Sequence, residues 1–402
     1  MTTVVRGESV ASAASPTIPH PDPDLFAVAD LLSAEERQTY EHLRAFLQEE
    51  IRPAVAEYWD REEFPFHLLS RLGEEGLGEL ELSGASRLLR GLVYAEVTRA
   101  DVSLSALVGI HNELVLDLVN ALGSEEQKKA WVPGLRVFDK IGCFALTEPE
   151  HGSDVAGGLA TTATRTSDGW VINGAKRWIG GGTFADFAIV FARDEADQAI
   201  KGFLVELDRP GVTRTKISGK MGLRIMQNAD LIFDDVHIPA ENLLPGAASF
   251  KDTNIFLRNS RAWVGWQAAG LQLAIFEVAR DYAVGRDQFG RKIAKFQLVQ
   301  EKLSRILGNA TASLAMMAQV ARVQEEGSVD MPHAALAKGT CTRLARESAA
   351  LGRELLGGNG ILTEYEMAKL FNDAEILYTY EGTYDINALI VGRAVTGVSA
   401  FV

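Results

Sequence analysis

The spacing of hydrophobic and polar residues along the chain changes twice. Over residues 33 to 138, apolar residues recur at the period of about 3.6 residues that is typical of an amphipathic helix. Over residues 141 to 245, short β-branched and aromatic runs alternate with turn pairs, and after residue 252 the helical period returns. This order predicts a small β-domain between two helical domains.

Local signals mark the boundaries of some of these elements. Ser33 and Glu36 form a Ser-x-x-Glu pattern, which predicts the start of a helix. Asp168-Gly169 and Asn173-Gly174 are both typical of hairpin turns. Farther along, apolar residues return about every 3.5 positions, which indicates a helical bundle with another subunit nearby. The residues of this repeat are Val299, Leu303, Ile306, Ala310, Leu314, Met317 and Val320.

The composition argues against several classes of protein. Of the 402 residues, 47% are hydrophobic, which is enough for a large core. A net charge of −14 without a basic run disfavours binding to nucleic acid or to an acidic membrane. No uninterrupted apolar run approaches the roughly 18 residues of a membrane span, from which we expect no transmembrane helix, and the Ala/Ser/Pro-rich start lacks the parts of a secretory signal. We expect this start, residues 1 to 30, to be a flexible arm.

Cysteine and histidine usage refines this expectation. The chain has two cysteines, Cys143 and Cys341, and such low usage in a large chain fits free thiols in a reducing compartment. We therefore expect a cytoplasmic protein. The seven histidines show no metal-ligand spacing with the cysteines, so we expect no metal site.

Two motifs near the domain boundaries suit a cofactor. Residues 143 to 154 (CFALTEPEHGSD) begin as a strand and end in a turn, where the hydroxyls of Thr147 and Ser153 suit a flavin ring or a phosphate. The alternative is a strand followed by a capped turn. Residues 286 to 290 (RDQFG) place a guanidinium, an amide and an aromatic ring at a helix end, which suits a diphosphate and an adenine. The alternative is a solvated helix end.

Two further motifs lie near the end of the chain. Residues 354 to 361 (ELLGGNGI) supply glycines after a helix, which lets the backbone approach a phosphate, unless they form an ordinary glycine cap. Residues 379 to 387 (TYEGTYDIN) place Glu381 just before an apolar helical run. Either Glu381 is a solvated glutamate stabilised by the helix dipole, or it has a chemical role.

Taken together, the motifs resemble the acyl-CoA dehydrogenase family, over residues 31 to 402. The stretches that carry the resemblance are ALTEPEHGSD and GRELLGGNG followed by YTYEGTYDINALIVGRAVTG. Within the family, the stretches EYWDREEFPFH and GSEEQKK are similar to those of glutaryl-CoA dehydrogenases and of plant short-chain acyl-CoA oxidases.

The resemblance implies an α+β fold with three domains. These are an N-terminal α-helical domain (residues 31–140), a middle β-barrel or β-sandwich domain (residues 141–250) and a C-terminal four-helix bundle (residues 251–402). It also implies a homotetramer that binds one FAD per subunit, partly across a dimer interface. The expected partners are an acyl-CoA substrate and, as electron acceptor, an electron-transfer flavoprotein or O₂.

The resemblance assigns the catalytic role to Glu381, which would remove the α-proton of the acyl-CoA while flavin N5 accepts the β-hydride. The Glu381 N–H would bind the thioester oxygen. The cofactor residues implied by position are Phe144, Leu146, Thr147, Trp178, Ile179, Gly180, Arg286, Gln288, Phe289, Gly357, Gly358, Thr383 and Asp385. The implied substrate residues are Ser153, Ser105, Arg261, Tyr380 and Gly382. Arg224 is implied either near the CoA entrance or in an ion pair that holds the β-domain.

The sequence departs from the family at two positions that bear on chemistry. Ser105 stands where glutaryl enzymes carry an arginine for the distal carboxylate, so we predict a short, uncharged acyl-CoA such as butyryl-CoA. Glutaryl-CoA is the alternative, with Arg99 or Arg87 reaching its acid. Gly180 stands where most dehydrogenases carry a threonine beside flavin N5, so we expect a dehydrogenase with appreciable oxidase leakage, or a true oxidase.

Overall fold

The computed structural model describes residues 22–400, and its first domain is helical. A 3₁₀-helix (Val28–Leu31) precedes α1. The α-helices of this domain are α1 (Ala34–Phe46), α2 (Arg52–Arg61), α3 (Leu68–Glu74), α4 (Arg87–Ala100), α5 (Val102–Gly109), α6 (Asp117–Leu122) and α7 (Glu125–Arg136). π-helical turns continue α1 into α2 (Leu47–Ile51) and α5 into α6 (Ile110–Leu116).

The first long helix begins where the capping pattern predicts. The Glu36 N–H donates to Ser33 Oγ at 3.2 Å. The Glu36 carboxylate also accepts the Ser86 N–H at 2.9 Å, which ties the start of α1 to the start of α4. Glu36 therefore takes part in both helix starts, through its backbone N–H in α1 and through its carboxylate in α4.

The predicted flexible arm lies mostly outside the described residues, but its last part is held to the domain. Arg44 Nη1 donates to Asp22 Oδ2 at 2.7 Å, and Val28 and Ala29 are buried. Residues 22 to 30 thus contact the domain at these points, while Leu25 and Phe26 are exposed, and the flexible arm stays a prediction.

The middle domain is a curled sheet with α8 (Val155–Gly158) beside it. Its strand order is β1-β4-β2-β3-β7-β6, with β5 added on β4, and β4 pairs in parallel with β1 and β2. The strands are β1 (Gly142–Ala145), β2 (Thr162–Arg165), β3 (Gly169–Gly180), β4 (Phe187–Asp194), β5 (Ile200–Glu206), β6 (Val212–Lys216) and β7 (Asn228–Pro239).

One of the two predicted hairpin turns is present. Asp168-Gly169 closes the antiparallel turn between β2 and β3, where the Thr166 N–H donates to Gly169 O at 2.9 Å. The hairpin predicted at Asn173-Gly174 is wrong, because β3 continues through this pair with a bulge against β7. Gly174 has φ 148°, and a Cβ there would lie 2.7 Å from Thr161 Cα, so glycine permits a close approach of strands rather than a reversal.

The C-terminal domain is a helical bundle, as predicted. Its helices are α9 (Asn254–Gly285), α10 (Gln297–Glu325), α11 (Met331–Leu355), α12 (Met367–Thr379) and α13 (Tyr384–Thr396). A short hairpin of β8 (Asp287–Gln288) and β9 (Arg291–Lys292) follows α9. The apolar repeat lies on α10, where its members from Ile306 to Val320 are buried and Val299 and Leu303 are half-buried.

Helix α9 lies at the centre of the molecule, and glycines let its neighbours approach it closely. A Cβ on Gly270 would lie 2.0 Å from Ala95 O on α4. A Cβ on Gly109 would lie 1.9 Å from the Trp263 indole, and one on Gly91 would lie 2.1 Å from the Trp266 indole. The two bulky α9 side chains therefore pack on backbone of the N-terminal domain.

The stretch Val102–Leu122 is long and apolar enough to span a membrane, with a mean hydropathy of 1.5. However, 89% of this window is buried within the fold, as in the core helix of a globular domain. Its apolar character is thus explained by packing against α9 and the sheet.

The close contact of α4 and α9 gives a stability prediction. Gly270→Ala should lower the free energy of unfolding by about 1–3 kcal/mol, because the new methyl group must push the helices apart. Gly308→Ala on α10 is the control, since a Cβ there meets nothing within 4 Å. Urea denaturation should find the control neutral or up to about 1 kcal/mol more stable. Equal effects of the two changes would contradict this account of the packing.

Candidate active site

Glu381 lies in a left-handed turn between α12 and α13. Its φ is 53° and that of Gly382 is 82°. Thr383 caps α13, accepting the Ile386 N–H at 3.3 Å, and Asp385 occupies the exposed first turn. The reading of Glu381 as a helix-start glutamate is therefore wrong, because Glu381 precedes the cap. A non-glycine residue in this conformation costs on the order of 1 kcal/mol, so the surrounding contacts must hold it there.

The Glu381 carboxylate points to α9. Ser260 Oγ donates to Glu381 Oε2 at 2.6 Å. The neighbouring Arg261 donates to Leu257 O at 2.6 Å, and its Nε is buried without a partner among the described residues. Burial lowers the pKa of Arg261, and the Glu381 charge opposes this shift. In residues 22–400, Glu381 forms no direct ion pair, so no contacting cation neutralises its carboxylate.

Lys338 on α11 also holds this turn in place. Its Nζ is fully buried and donates to Gly382 O at 2.6 Å and to Tyr378 O at 3.1 Å. Burial lowers the pKa of Lys338 to about 7, while the nearby Glu381 charge raises it. Sequence reasoning missed Lys338, because no motif distinguishes this lysine in an alanine-rich helix. It also missed Ser260, although the resemblance pointed to the adjacent Arg261.

A buried hydrogen-bond chain continues from the turn. The Tyr380 hydroxyl donates to Gln267 Oε1, and burial raises the pKa of Tyr380 well above its usual value, so the phenol stays neutral. Gln267 Nε2 donates to Ser105 Oγ at 2.9 Å, and Thr98 Oγ1 donates to the same oxygen at 2.7 Å. The predicted substrate residues Tyr380 and Ser105 are thus joined through Gln267, and the chain contains no charge.

The predicted flavin residues of the β-domain lie at two neighbouring strand ends, where Trp178 is exposed and Leu146 and Ile179 are buried. Phe144, Leu146 and Thr147 lie at the end of β1, and Trp178, Ile179 and Gly180 lie at the end of β3. The two strand ends are joined by the Arg177 N–H, which donates to Thr147 O at 2.8 Å. Trp178 has φ 66° and is 52% exposed, so its indole projects from the end of β3.

The turn after β1 is fixed by a buried ion pair. Glu148 accepts Lys176 Nζ at 2.8 Å and the N–H groups of Ala160 and Thr161 at 2.6 and 2.9 Å. Burial lowers the pKa of Lys176 to about 8, and Glu148 opposes that shift. Ser153 is exposed at the end of this turn. The hydroxyls of the motif are thus presented on a rigid turn.

The end of β3 and the Glu381 turn contact two helices that pack on each other, α5 and α9. A Cβ on Gly180 would lie 2.7 Å from Ile110 Cδ1 and 2.5 Å from Met226 Cε. Ile110 directly follows Gly109, which packs on Trp263, and the Trp263 ring lies 6.2 Å from that of Tyr380. The site therefore lies where the β-domain, α5 and α9 meet.

Other predicted residues lie at the far end of α9. Arg286 and the β8–β9 hairpin with Gln288 and Phe289 are exposed, and Phe289 is 91% exposed. At 1.5 Å per residue, they lie roughly 40 Å along the axis from Ser260. Gly357 and Gly358 are near them, since the following Asn359 donates to Tyr282 Oη at 3.0 Å. One chain therefore does not bring these residues to its own Glu381.

Arg224 holds domains together. It pairs with Glu62 at 2.9 Å, donates to Trp59 O at 3.1 Å and lies 5.0 Å above the Trp59 ring. Of the two readings, the structure supports the ion pair that links the β-domain to α2 and its following turn.

Comparison with known proteins identifies the family. The chain matches the models for the N-terminal, middle and C-terminal domains of acyl-CoA dehydrogenase over residues 33–137, 143–236 and 250–396. It is 35% identical over 375 residues to the mouse mitochondrial short-chain specific acyl-CoA dehydrogenase, covering 89% of this chain and 90% of the mouse protein. The chain belongs to the acyl-CoA dehydrogenase family. It is thus an oxidoreductase that acts on CH–CH bonds of acyl-CoA.

Solved structures agree with this assignment. A crystal structure of Mycobacterium smegmatis glutaryl-CoA dehydrogenase superimposes with a TM-score of 0.91 at 37% identity, covering 95% of this chain and all of that one. A second structure from the same organism, a glutaryl-CoA dehydrogenase in complex with FADH₂, has a TM-score of 0.91 at 32% identity, with the same coverage.

Acyl-CoA dehydrogenases use FAD, and the residues present fit this cofactor. The exposed rings of Trp178 and Phe289 are apolar surfaces that a bound ring system would cover. A Cβ on Gly358 would meet nothing within 4 Å, so its backbone is open to a phosphate. Thr147 and the capped start of α13 at Thr383 supply polar groups.

The buried amine of Lys338 gives a prediction for stability against pH. An unfolded lysine keeps its proton to about pH 10.4, whereas the folded Lys338 loses it near pH 7. Between these values the unfolded chain binds more protons, so unfolding free energy rises with pH. The free energy of unfolding of the wild-type protein should therefore rise relative to that of Lys338→Met, by on the order of 1 kcal/mol per pH unit above 7. Urea denaturation at pH 6, 7.5 and 9 tests this, and a constant difference would contradict it.

Proposed function

We propose that this enzyme dehydrogenates a short, uncharged acyl-CoA to the trans-2-enoyl-CoA. The observation that carries the proposal is the position of Glu381: among the described residues its carboxylate accepts a hydrogen bond from Ser260 and lies near Arg261 and Lys338 without pairing with either. A carboxylate in a direct ion pair would be a weaker base, whereas this one keeps a free oxygen for a proton. Bound FAD would supply the acceptor for the β-hydride.

Removal of an α-proton by a carboxylate requires that the thioester be made more acidic. Among the described residues, the Glu381 N–H has no acceptor, so it is free to donate to the thioester oxygen. The left-handed turn at Glu381 and Gly382 orients this N–H and the carboxylate from one residue. The buried charge of Arg261, and that of Lys338 while it is protonated, stabilise negative charge that develops nearby.

The acyl chain is proposed to be uncharged because Arg99 and Arg87, the two arginines considered for a distal carboxylate, are engaged elsewhere. Arg99 donates to Glu277 at 2.9 Å and to Glu96 at 3.0 Å. Arg87 pairs with Glu81 at 2.9 Å. Ser105 itself is fully buried and bonded to Gln267. A glutaryl carboxylate there would lose its hydration and find no cation, so the glutaryl-CoA reaction of the Mycobacterium neighbour is the less favoured candidate.

For the electrons, we propose a dehydrogenase that passes them to an electron-transfer flavoprotein, with some leakage to O₂. The space beside Gly180 is filled by Met226 and Ile110, so the missing side chain does not leave an open route for O₂ there. For the same reason, Gly180→Thr would clash and is a poor test of leakage. We also propose a homotetramer, because the exposed hairpin and Gly357-Gly358 lie far from Glu381 of the same chain. Two buried free thiols support a reducing compartment such as the cytoplasm.

Glu381→Gln should keep the fold and the FAD while kcat falls by roughly 10²–10⁴-fold, because an amide cannot accept the α-proton. Stopped-flow bleaching of the flavin by butyryl-CoA under anaerobic conditions measures the step directly. Glu375→Gln, on the outer part of α12, is the control and should bleach normally. If the flavin of the Glu381→Gln protein bleached at the wild-type rate, another residue would have to be the base.

The natural enzyme should oxidise butyryl-CoA with a kcat/KM at least roughly 100-fold above that for glutaryl-CoA, since burying the distal carboxylate without a cation costs about 3 kcal/mol. Product analysis for crotonyl-CoA and carbon dioxide, run with an artificial acceptor, separates the two reactions. Ser105→Arg should be compared with Thr98→Arg, which adds the same charge at the residue that is hydrogen-bonded to Ser105. A higher efficiency of the natural enzyme with glutaryl-CoA would overturn the proposed substrate class.

A further inference from the structure

Three side chains on one face of α9 point to the Glu381 turn. Ser260, Trp263 and Gln267 follow the helical spacing i, i+3 and i+7, so they share a face. Ser260 donates to Glu381, and Gln267 accepts the Tyr380 hydroxyl. Trp263 lies between these two contacts, and its ring centroid lies 6.2 Å from that of Tyr380. Its indole is thus on the side of α9 that faces the base.

The indole is held on its other sides by the N-terminal domain. Trp263 is 1% exposed, and its ring lies 6.2 Å from that of Tyr94 on α4. A Cβ on Gly109 would lie 1.9 Å from Trp263 Cε2 and 2.4 Å from Nε1, so the ring rests on bare α5 backbone. A side chain at position 109 and this indole cannot both be present. The pair Trp263 and Gly109 therefore fixes a flat wall between α9 and α5.

This wall limits the space available to a substrate. An α-carbon placed beside the Glu381 carboxylate has Ser260 next to it, and a chain that continues along this face of α9 towards Gln267 enters the gap between α9 and α5. Trp263 fills that gap, and the Gln267–Ser105 hydrogen bond lies one turn beyond it. Because protein interiors are close-packed, a longer chain must displace the indole. A short chain ends before reaching it.

We propose that Trp263 is the residue that sets acyl-chain length, closing the pocket so that only short acyl-CoAs are oxidised. This inference rests on the proposed dehydrogenation of acyl-CoA and specifies the substrate of the same site. Trp263 Nε1 has no hydrogen-bond partner among the described residues, so its role is specificity and not proton transfer.

The test uses Trp263→Leu and the milder Trp263→Phe, with kcat and KM measured for butyryl-, hexanoyl- and octanoyl-CoA on the FAD-loaded protein. The ratio of kcat/KM for octanoyl-CoA to that for butyryl-CoA should rise about tenfold or more in Trp263→Leu and less in Trp263→Phe. Trp266→Leu is the matched control. It removes an equal indole that rests on Gly91 of α4, and its ratio should stay at the natural value.

The outcomes separate this inference from the proposed function. If the natural protein keeps FAD but no saturated acyl-CoA bleaches it, the proposed function fails. If butyryl-CoA bleaches it and Glu381→Gln abolishes bleaching, while the chain-length ratio is unchanged in both Trp263 variants, only this inference fails. An equal change in Trp266→Leu would also overturn it, since loss of any buried indole would then suffice. Should Trp263→Leu lose its fold, the ratio in Trp263→Phe decides.

Discussion

The close packing of α9 against α4 and α5 is the constraint on which the rest of the site depends. Gly270 lets α9 meet the α4 backbone, and Gly109 and Gly91 accept its two tryptophans. These contacts fix the rotation of α9 about its axis, and thereby the direction of Ser260. Since Ser260 holds the carboxylate of the turn between α12 and α13, the packing of one helix places the base opposite the β-domain. A small rotation of α9 would move the hydroxyl out of reach.

The electrostatics of the turn follow from burial. Glu381 has a hydroxyl as its direct partner, while Arg261 and Lys338 are near enough to influence it but donate to backbone carbonyls instead. Burial lowers the pKa of both cations, and the Glu381 charge opposes this. A direct ion pair would stabilise the carboxylate and weaken it as a base, whereas an isolated buried carboxylate would cost too much. The environment of Glu381 lies between a direct ion pair and an isolated buried carboxylate.

Most of the fold followed from periodicity, but the contacts that tune the site did not. The change from helical to β spacing predicted three domains, and the family resemblance of the motif around Glu381 implied a base. The pattern could not predict Ser260 as the partner of Glu381 or Lys338 as the partner of Gly382, because these contacts join residues 121 and 44 positions apart along the chain and depend on helix rotation. The local pattern also predicted a turn at Asn173-Gly174 where the structure has a bulge, because both features require an unusual backbone conformation at glycine. Nor could it predict the side chains that fill the space beside Gly180.

The central claim is that Glu381 removes a proton from the α-carbon of a CoA thioester. Exchange of the α-hydrogens of acetyl-CoA with deuterium oxide tests it most directly, because acetyl-CoA has no β-carbon and the proton step is then isolated from flavin reduction. The FAD-loaded enzyme should catalyse exchange detectable by mass spectrometry, and the Glu381→Gln protein with the same FAD content should exchange at the uncatalysed rate. Equal exchange by the two proteins would contradict the account.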